Sequence, residues 1–299
     1  MASPATPFRD VALTRRRFLA ALGVGTTATA SVAGYARLFE PEWFEVTQTA
    51  IRINRPGTGA HPLRILHLSD FHASAVVPLS TINEAIGLGL AAAPDLIVLT
   101  GDFVTGQDIA WSDYRAVLSR LTAAAPTLAC LGNHDGGVWT QRVGRPYTSQ
   151  QVEKLLADAG IELLHNRSVV RLIRHQPVRV TGVGDLWSGE CQPAIAFHGH
   201  GEATPLDTLH LVLNHNPDGK DLFIPYDWDL MLCGHTHGGQ LRLPILGTPF
   251  APVRDKRYVA GLHPWDGRQL YVTRGVGNLH GVRFNCRPEV TVLEVSGGS

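Results

Sequence analysis

Aspartate, asparagine and histidine residues stand directly after five apolar segments of this sequence. The groups are Asp70 with His72, Asp102, Asn133 to Asp135, His215, and His235 with His237. The carboxyl ends of strands in an open α/β sheet meet at one rim, so these side chains are expected to lie close together. Carboxylate and imidazole suit Zn²⁺, Fe and Mn²⁺, and no thiolate in these groups biases the site toward softer ions. The pattern therefore predicts a metal centre built from several strand ends.

The spacing within these groups is suited to two cations. The two carboxylate oxygens of Asp102 can bridge ions about 3.5–4 Å apart. Asp70 and His72 lie two residues apart, and their side chains can converge if the chain turns sharply after the preceding strand. His235 and His237 flank one residue, so a single segment can supply a ligand to each ion. A lone Asp or His at a strand end more often caps a loop, but this ordered set is very unlikely by chance.

Short apolar runs and helical patterns predict the elements that position these residues. The predicted strands are Phe44–Ile53, Leu63–Ser69, Leu96–Thr100, Thr127–Leu131, Val178–Val183, Leu209–Asn214, Leu230–Cys233, Leu270–Thr273 and Val290–Val295. The predicted helices are Thr81–Ala93, Tyr114–Ala124 and Ser149–Ala159, the last with Thr148 as N-cap and Gln151 completing a capping box. Continuously apolar strands are typical of sheets covered on both faces. We expect one layered α/β domain over residues 43–296.

The ordered motifs Asp-x-His, Gly-Asp, Gly-Asn-His-Asp, His and Gly-His-x-His resemble those of the calcineurin-like metallophosphoesterases. The resemblance covers roughly residues 43–295. It implies a four-layer α/β/β/α sandwich with a dinuclear metal site at the C-terminal ends of the strands. It also implies two ligand sets, which share Asp102 as the bridge: Asp70, His72, Asp102 and His237 for one ion, and Asp102, Asn133, His215 and His235 for the other. His134 would be the non-ligand histidine beside the leaving group.

These residues predict metal-dependent hydrolysis of a phosphodiester or phosphate ester. Two divalent ions (Mn, Fe or Zn) would generate a hydroxide at neutral pH, with His134 as general acid and Asp102 as the bridging catalytic ligand. A UDP-2,3-diacylglucosamine-type pyrophosphatase and a phospholipid-directed hydrolase are alternatives. Outside catalysis, a metal-stabilised binding scaffold at the cell envelope is the remaining alternative.

One position departs from the resemblance. Many members carry Asp three residues after the bridging Asp, where it can orient the histidine of Gly-Asn-His-Asp, and this chain has Thr105. We expect that either Asp135 or Asp70 orients His134 instead, or that the protonated form of His134 is less favoured.

The later loops hold five candidate substrate-binding residues. Arg274 follows a predicted strand and could pair with a phosphate through its planar guanidinium, although a structural ion pair is an equal alternative. His280 is a weaker candidate of the same kind, as are Arg283 and Arg287. Asp185 ends an apolar run, and it either contacts a metal ligand without binding the metal itself or caps a turn.

Residues 1–36 read as an export segment. The run Thr-Arg-Arg-Arg-Phe-Leu at residues 14–19 resembles a twin-arginine signal, and a Gly/Ala/Thr-rich apolar stretch follows it. The predicted location is the periplasm or the outer face of the cytoplasmic membrane, with the signal either cleaved or kept as an anchor. The runs FEPEWFEVT, GHTHGGQLRLP and RFNCRPEVTVLEV look like the exported bacterial phosphoesterase subgroup that carries such signals.

Composition narrows the range of partners. The 299 residues carry 26 Lys and Arg and 26 Asp and Glu, with no Lys/Arg-rich run, which argues against a nucleic-acid partner. We expect a small-molecule or lipid-linked phosphoester, the twin-arginine export machinery as a partner, and possible membrane association. The four cysteines include no Cys-x-x-Cys pair, and a Cys191–Cys286 bridge is left open.

Overall fold

The computed structural model describes residues 31–55, 62–106, 108–145, 148–198 and 208–297, so residues 1–30, with the twin-arginine motif, lie outside the described residues. The strands in these ranges are β1 Glu45–Ile53, β2 Leu63–Leu68, β3 Leu96–Thr100, β4 Thr127–Cys130, β5 Glu162–Leu163, β6 Arg167–Ile173, β7 Gln176–Gly182, β8 Leu209–Leu213, β9 Leu230–Cys233, β10 Gly261–Trp265, β11 Arg268–Val272 and β12 Glu289–Gly297. The helices are α1 Leu79–Leu90, α2 Trp111–Thr122, α3 Val138–Arg142, α4 Gln150–Asp158 and α5 Pro193–His198, and residues 31–38 are also helical. Short 3₁₀ turns link several of them. No described helix is long and apolar enough to cross a membrane.

The strands form two six-stranded sheets. The first has the order β1-β12-β2-β3-β4-β5, and β2 to β5 run parallel to one another. The second has the order β10-β11-β9-β8-β7-β6, in which β7, β8, β9 and β11 are parallel and the two edge strands are antiparallel. Parallel neighbours need crossover connections, and α1, α2 and α4 supply them in the first sheet. The carboxyl ends of β2, β3 and β4 therefore lie side by side.

Successive residues of a strand point to opposite faces of the sheet and therefore pack into different layers. In β3, Leu96 and Val98 pack between the two sheets, whereas Ile97 and Leu99 pack with α1 and α2. A third apolar cluster, which includes Val212 of β8, covers the outer face of the second sheet with residues of α5 and the following segments. Period-2 alternation with both faces apolar explains the continuous hydrophobic runs. The predicted four-layer α/β/β/α sandwich is confirmed.

Three edge strands, the two short helices α3 and α5, and one helix cap differ from the sequence-based expectation. The strands β5, β6 and β10 were not predicted, because edge strands are only half-buried and their polar residues weaken the apolar pattern. Helix α4 begins at Gln150 with Ser149 as its N-cap, so the predicted cap at Thr148 is wrong. The Ser149 hydroxyl lies 2.5 Å from Glu153 Oε1 and makes no capping hydrogen bond to the backbone.

Candidate metal centre

Loops from both sheets meet at the carboxyl ends of β2, β3, β4, β8 and β9. Asp102, after β3, lies at the centre of this meeting point and is 2% exposed. Its Oδ2 is 3.4 Å from Nε2 of His72 and 3.3 Å from Nε2 of His215. Its Oδ1 accepts a hydrogen bond from the backbone N–H of His134 at 2.8 Å. One oxygen of Asp102, Oδ2, therefore faces both halves of the site.

The first half gathers Asp70, His72 and His237, all buried. The Nε2 atoms of the two histidines are 3.0 Å apart, and Oδ1 of Asp70 lies 3.5 Å from Nε2 of His237. In the second half, Oδ1 of Asn133 and Nδ1 of His235 approach Nε2 of His215 at 3.2 and 3.3 Å. The structure thus brings all seven predicted ligands together, and their coordination of metal stays a prediction.

The electrostatics of this cluster suit bound cations. Burial lowers the pKa of His72, His235 and His237, so these rings are neutral near pH 7 and keep ring-nitrogen lone pairs for a metal. Burial by itself also lowers the pKa of His215, but the carboxylates of Asp102 and Asp70 outweigh it and raise that pKa to about 10. Without a metal ion, the proton on His215 offsets part of the negative charge of Asp102 and Asp70. A divalent ion bound there would offset this charge more strongly. The donor set fits the ions that the family implies.

The ligand loops hold non-glycine residues in the left-handed backbone region. Asp70, His72, Asp102, His235 and His237 have φ angles of 56°, 49°, 56°, 69° and 51°. This conformation is costly for residues with a Cβ and persists where the surrounding structure imposes it. Cross-loop bonds do so here: the N–H of Asp70 donates to Gly101 O at 2.9 Å, and the N–H of His235 donates to Asp70 Oδ1 at 3.0 Å.

Two glycines allow the loops to approach this closely. A Cβ at Gly132 would lie 2.2 Å from Oδ1 of Asp102 and 2.8 Å from Cε1 of His215. A Cβ at Gly234 would lie 2.4 Å from Oδ2 of Asp70. No real Cβ is accommodated at such distances, so any larger residue would push a ligand away.

Asp135 and Asp70, which were expected to orient His134, accept backbone N–H groups with their carboxylates. Burial lowers the pKa of His134, so its protonated form is less favoured, as the third alternative expected. The carboxylate of Asp135 accepts three backbone N–H groups, those of Gly132, Asp102 and Phe103, at 2.7–2.8 Å. It therefore joins the loop after β4 to the loop after β3. The carboxylate of Asp70 accepts the N–H of His235 in the same way.

Thr105 contacts a predicted ligand instead of the predicted acid. Its Oγ1 lies 2.6 Å from Nδ1 of His72. A ring N–H donated at Nδ1 leaves Nε2 of His72 unprotonated and directed at the centre, as an outer hydrogen-bond partner of a metal ligand does. The sequence carried no sign of this pairing, because the two residues are brought together only by the neighbouring strands β2 and β3.

A cavity of about 320 Å³ opens beside the ligands. Trp139 and Trp187 line it, with ring centroids 6.1 Å apart. The Trp139 ring packs on His134 at 4.3 Å, and the Trp187 ring contacts His235 edge-on at 4.3 Å. Arg145 also lines the cavity. Sequence reasoning missed Trp139 and Arg145, whose only sequence sign is their position just after the Gly-Asn-His-Asp motif.

Of three candidate substrate-binding residues, one lines the cavity and two make contacts within the fold. His280 lines the cavity. Arg274 does not meet the expectation of a phosphate-binding group, because its guanidinium is paired with Glu45 Oε2 at 2.8 Å and Glu289 Oε2 at 3.1 Å. Asp185 is buried and accepts the N–H of Ser188 at 2.7 Å, as a turn-capping residue does.

The remaining candidates are structural. Arg283 is fully buried and donates to the carbonyl oxygens of Gly277, Arg274 and Gly275 at 2.6, 2.8 and 3.1 Å. Arg287 donates to the carbonyl oxygen of Trp43 at 2.9 Å. All four cysteines are free thiols, so no Cys191–Cys286 bridge forms.

A two-sheet α/β sandwich with Asp, Asn and His side chains converging at its strand ends defines a metal-dependent phosphoesterase. The family of calcineurin-like phosphoesterases matches residues 63–239, and the chain belongs to this family. It is a metallophosphoesterase, a hydrolase of phosphoric esters.

Three relatives show the breadth of the family around this chain. Phosphodiesterase YaeI of Escherichia coli (strain K12) is 46% identical over 284 residues, covering 95% of this chain and 99% of the relative. The uncharacterized metallophosphoesterase YkuE of Bacillus subtilis (strain 168) is 29% identical over 290 residues, covering 94% and 97%. UDP-2,3-diacylglucosamine pyrophosphatase LpxG of Chlamydia muridarum (strain MoPn / Nigg) is 26% identical over 307 residues, covering 87% and 91%.

Proposed function

We propose that this enzyme hydrolyses phosphodiesters at a centre of two divalent ions (Mn, Fe or Zn). The position of Asp102 carries the proposal, because its Oδ2 lies within 3.4 Å of a histidine nitrogen on each side. Asp70, His72 and His237 would complete one set of ligands, and Asn133, His215 and His235 the other. Ions bound there would act as Lewis acids on the phosphoryl oxygens and lower the pKa of water toward neutrality.

In this proposal His134 protonates the leaving oxygen. Its backbone N–H donates to Oδ1 of Asp102, which fixes the Gly-Asn-His-Asp loop against the bridging carboxylate. Its ring lines the cavity between His72, at 4.8 Å edge-on, and Trp139, at 4.3 Å. Packing on two sides limits the ring's motion, as a positioned general acid requires.

The cavity walls favour a diester over a monoester. Trp139 and Trp187 offer apolar surface for organic substituents on both sides of a phosphate, while Arg145 and His280 lie at the same cavity for its negative charge. The relative at 46% identity is named a phosphodiesterase, which supports the same choice. A nucleotide-linked lipid pyrophosphate is the second candidate, since the LpxG relative is named for such a substrate. Phospholipids are a further candidate, because their headgroups are joined through a phosphodiester.

Activity of metal-reconstituted enzyme tests the proposal. After chelation, Mn²⁺, Zn²⁺, Fe²⁺ and Mg²⁺ are each returned, and bis-p-nitrophenyl phosphate, p-nitrophenyl phosphate, UDP-2,3-diacylglucosamine, phospholipid and DNA are compared. We expect the diester to be hydrolysed faster than the monoester, and DNA not to be hydrolysed. Preference for the monoester would contradict the phosphodiesterase assignment, and bound metal without turnover on any ester would favour a binding scaffold.

Asp102→Asn is the decisive variant. An amide cannot serve two cations as a carboxylate does, so we expect metal-dependent turnover to be lost. The matched control is Asp113→Asn on the exposed face of α2, which should retain wild-type activity. Near-normal turnover of Asp102→Asn at saturating Mn²⁺ would show that the two-ion centre is wrong.

We propose further that the enzyme acts at the cell envelope after export through the twin-arginine machinery. The support is the motif at residues 14–19, in which Arg15 and Arg16 occupy the twin-arginine positions. Replacing both by Lys should keep the protein in the cytoplasmic fraction, with Arg9→Lys as the control. Envelope location that persists after the double replacement would contradict this route.

A further inference from the structure

Residues 243–247 form a tight hairpin in the loop that follows His237. The N–H of Leu243 donates to Gly247 O at 2.7 Å, and the N–H of Gly247 donates to Leu243 O at 2.9 Å. The two central aliphatic side chains face solvent, since Ile245 is 105% exposed and Leu246 is 70% exposed. We call these five residues the apolar hairpin.

The backbone of the apolar hairpin is unfavourable for the residue at its tip. Ile245 has a φ of 69°, a left-handed conformation in which a β-branched residue is a genuine outlier. Its fully exposed side chain makes too little contact with the fold to offset that strain. Glycine or asparagine would stabilise the same turn. An isoleucine at this position therefore indicates that its side chain contacts another molecule or surface.

The apolar hairpin lies between two residues that line the cavity, His237 before it and Pro252 after it. At its base the N–H of Arg242 donates to Phe284 O at 2.8 Å, and the N–H of Phe284 donates to Gln240 O at 3.0 Å. Phe250, which is 68% exposed, adds apolar surface after the hairpin, and Pro252 lines the cavity itself. A surface bound by the hairpin would therefore lie close to the site.

The charge beside the hairpin identifies the kind of surface. The segment 242–257 contains the basic residues Arg242, Arg254, Lys256 and Arg257 and one acidic residue, Asp255. Arg257 is paired with Asp255 at 2.6 Å. The basic excess therefore comes from Arg242, Arg254 and Lys256, which are exposed. Aliphatic side chains at a tip flanked by basic residues are the combination that inserts at the boundary between anionic headgroups and acyl chains. A nucleic acid would gain nothing from burying isoleucine and leucine.

We propose that the apolar hairpin docks the enzyme on an anionic lipid surface. Insertion of Ile245 and Leu246 supplies apolar burial, and the basic segment supplies attraction to the headgroups. This places the cavity beside the membrane, where an ester held in the lipid surface can reach it. Binding is separate from catalysis, so the inference stands or falls independently of the proposed reaction.

Cosedimentation with vesicles tests the docking surface. The full chain is mixed with vesicles of phosphatidylcholine alone or with phosphatidylglycerol, and wild type is compared with Ile245→Ser/Leu246→Ser. We expect wild type to prefer the anionic vesicles and to be released by salt. The double variant should bind at least about tenfold more weakly. The matched control is Leu172→Ser/Ile195→Ser, which removes exposed apolar residues of β6 and α5 and should bind as wild type.

A tryptophan at the tip reports insertion directly. Leu246→Trp should show a blue-shifted emission with anionic vesicles and quenching by brominated lipids, and Leu172→Trp should show neither. Unchanged emission of Leu246→Trp, or equal vesicle binding by the double serine variant, would overturn the proposal. A concentration-dependent dimer that the serine variant abolishes would also overturn it, because the hairpin would then join two copies. Hydrolysis of soluble bis-p-nitrophenyl phosphate by the serine variant checks that it is folded.

Discussion

At the residue scale, the site is shaped by the predicted ligands and also by the side chains that contact them. Thr105 contacts His72, Asp135 holds three N–H groups of the ligand loops, and Trp139 packs on His134. Each contact restricts a group that the proposed chemistry needs in one orientation. Outer partners of this kind affect metal affinity and activity although they touch neither metal nor substrate.

The hydroxyl of Thr105 is predicted to strengthen metal binding. Thr105→Val removes the partner of His72 Nδ1 at nearly constant volume, and we expect affinity for Mn²⁺ to fall about 10–100-fold. Thr105→Ser keeps the hydroxyl and should bind nearly as wild type. Calorimetric titration of the metal-free proteins measures both. Equal affinity of the valine variant would show that Thr105 does not orient His72.

The role of His134 is predicted to depend on the leaving group. His134→Gln should slow hydrolysis of a phenyl phosphodiester about 10²–10⁴-fold, because phenolate leaves poorly without a proton. The loss should be much smaller for p-nitrophenyl esters, whose leaving group needs little protonation. The comparison of kcat for the two esters measures this difference. An equal loss for both would show that His134 does not act as a general acid.

At the element scale, the candidate metal centre depends on strands whose carboxyl ends lie at the same edge of the sheets. It also depends on loops that pass close to one another. The apolar runs of β2, β3, β4, β8 and β9 predicted these strands, since burial on both faces leaves a strong sequence pattern. The edge strands β5, β6 and β10 left a weaker pattern and were missed. The approach of the loops after β3 and β4 depends on Gly132, whose Cβ-free backbone touches Asp102.

Gly132→Ala is predicted to disrupt the centre without unfolding the sandwich. The added methyl would overlap Oδ1 of Asp102, so this carboxylate must move, and overpacking of this kind costs about 1–3 kcal/mol. We expect turnover of bis-p-nitrophenyl phosphate to fall by at least about 10²-fold. Gly34→Ala is the control, because nothing lies within 4 Å of its added methyl. Retained turnover in Gly132→Ala would mean that the loops can separate freely.

At the scale of the whole molecule, buried histidines link stability to pH. His210 of β8 is 4% exposed, and its Nε2 lies 2.7 Å from Oγ1 of Thr181. Burial lowers the pKa of His210 from 6.5 to about 3. As the pH falls below 6.5, the unfolded chain takes up a proton that the folded chain does not, so the free energy of unfolding decreases down to about pH 3.

His210→Gln is predicted to reduce this loss of stability in acid. At pH 5, about 1.5 units below the unfolded pKa, protonation of unfolded His210 costs the fold about 2 kcal/mol. Urea unfolding at pH 7 and pH 5, with chelator present, should show a fall in stability that is about 2 kcal/mol smaller in the variant. An identical pH dependence in both proteins would show that His210 titrates alike in the folded and unfolded chains.

The sequence by itself determined the α/β class, the strands of both sheet centres and the candidate ligand set, because strand periodicity and ligand chemistry are local properties of the chain. Only the tertiary structure decided which oxygen of Asp102 faces both halves, that Arg274 is held by Glu45 and Glu289, and that Asp135 joins two loops. These outcomes depend on distances between residues far apart in sequence. Such distances are set by strand order and by the packing of the two sheets, which no short pattern encodes.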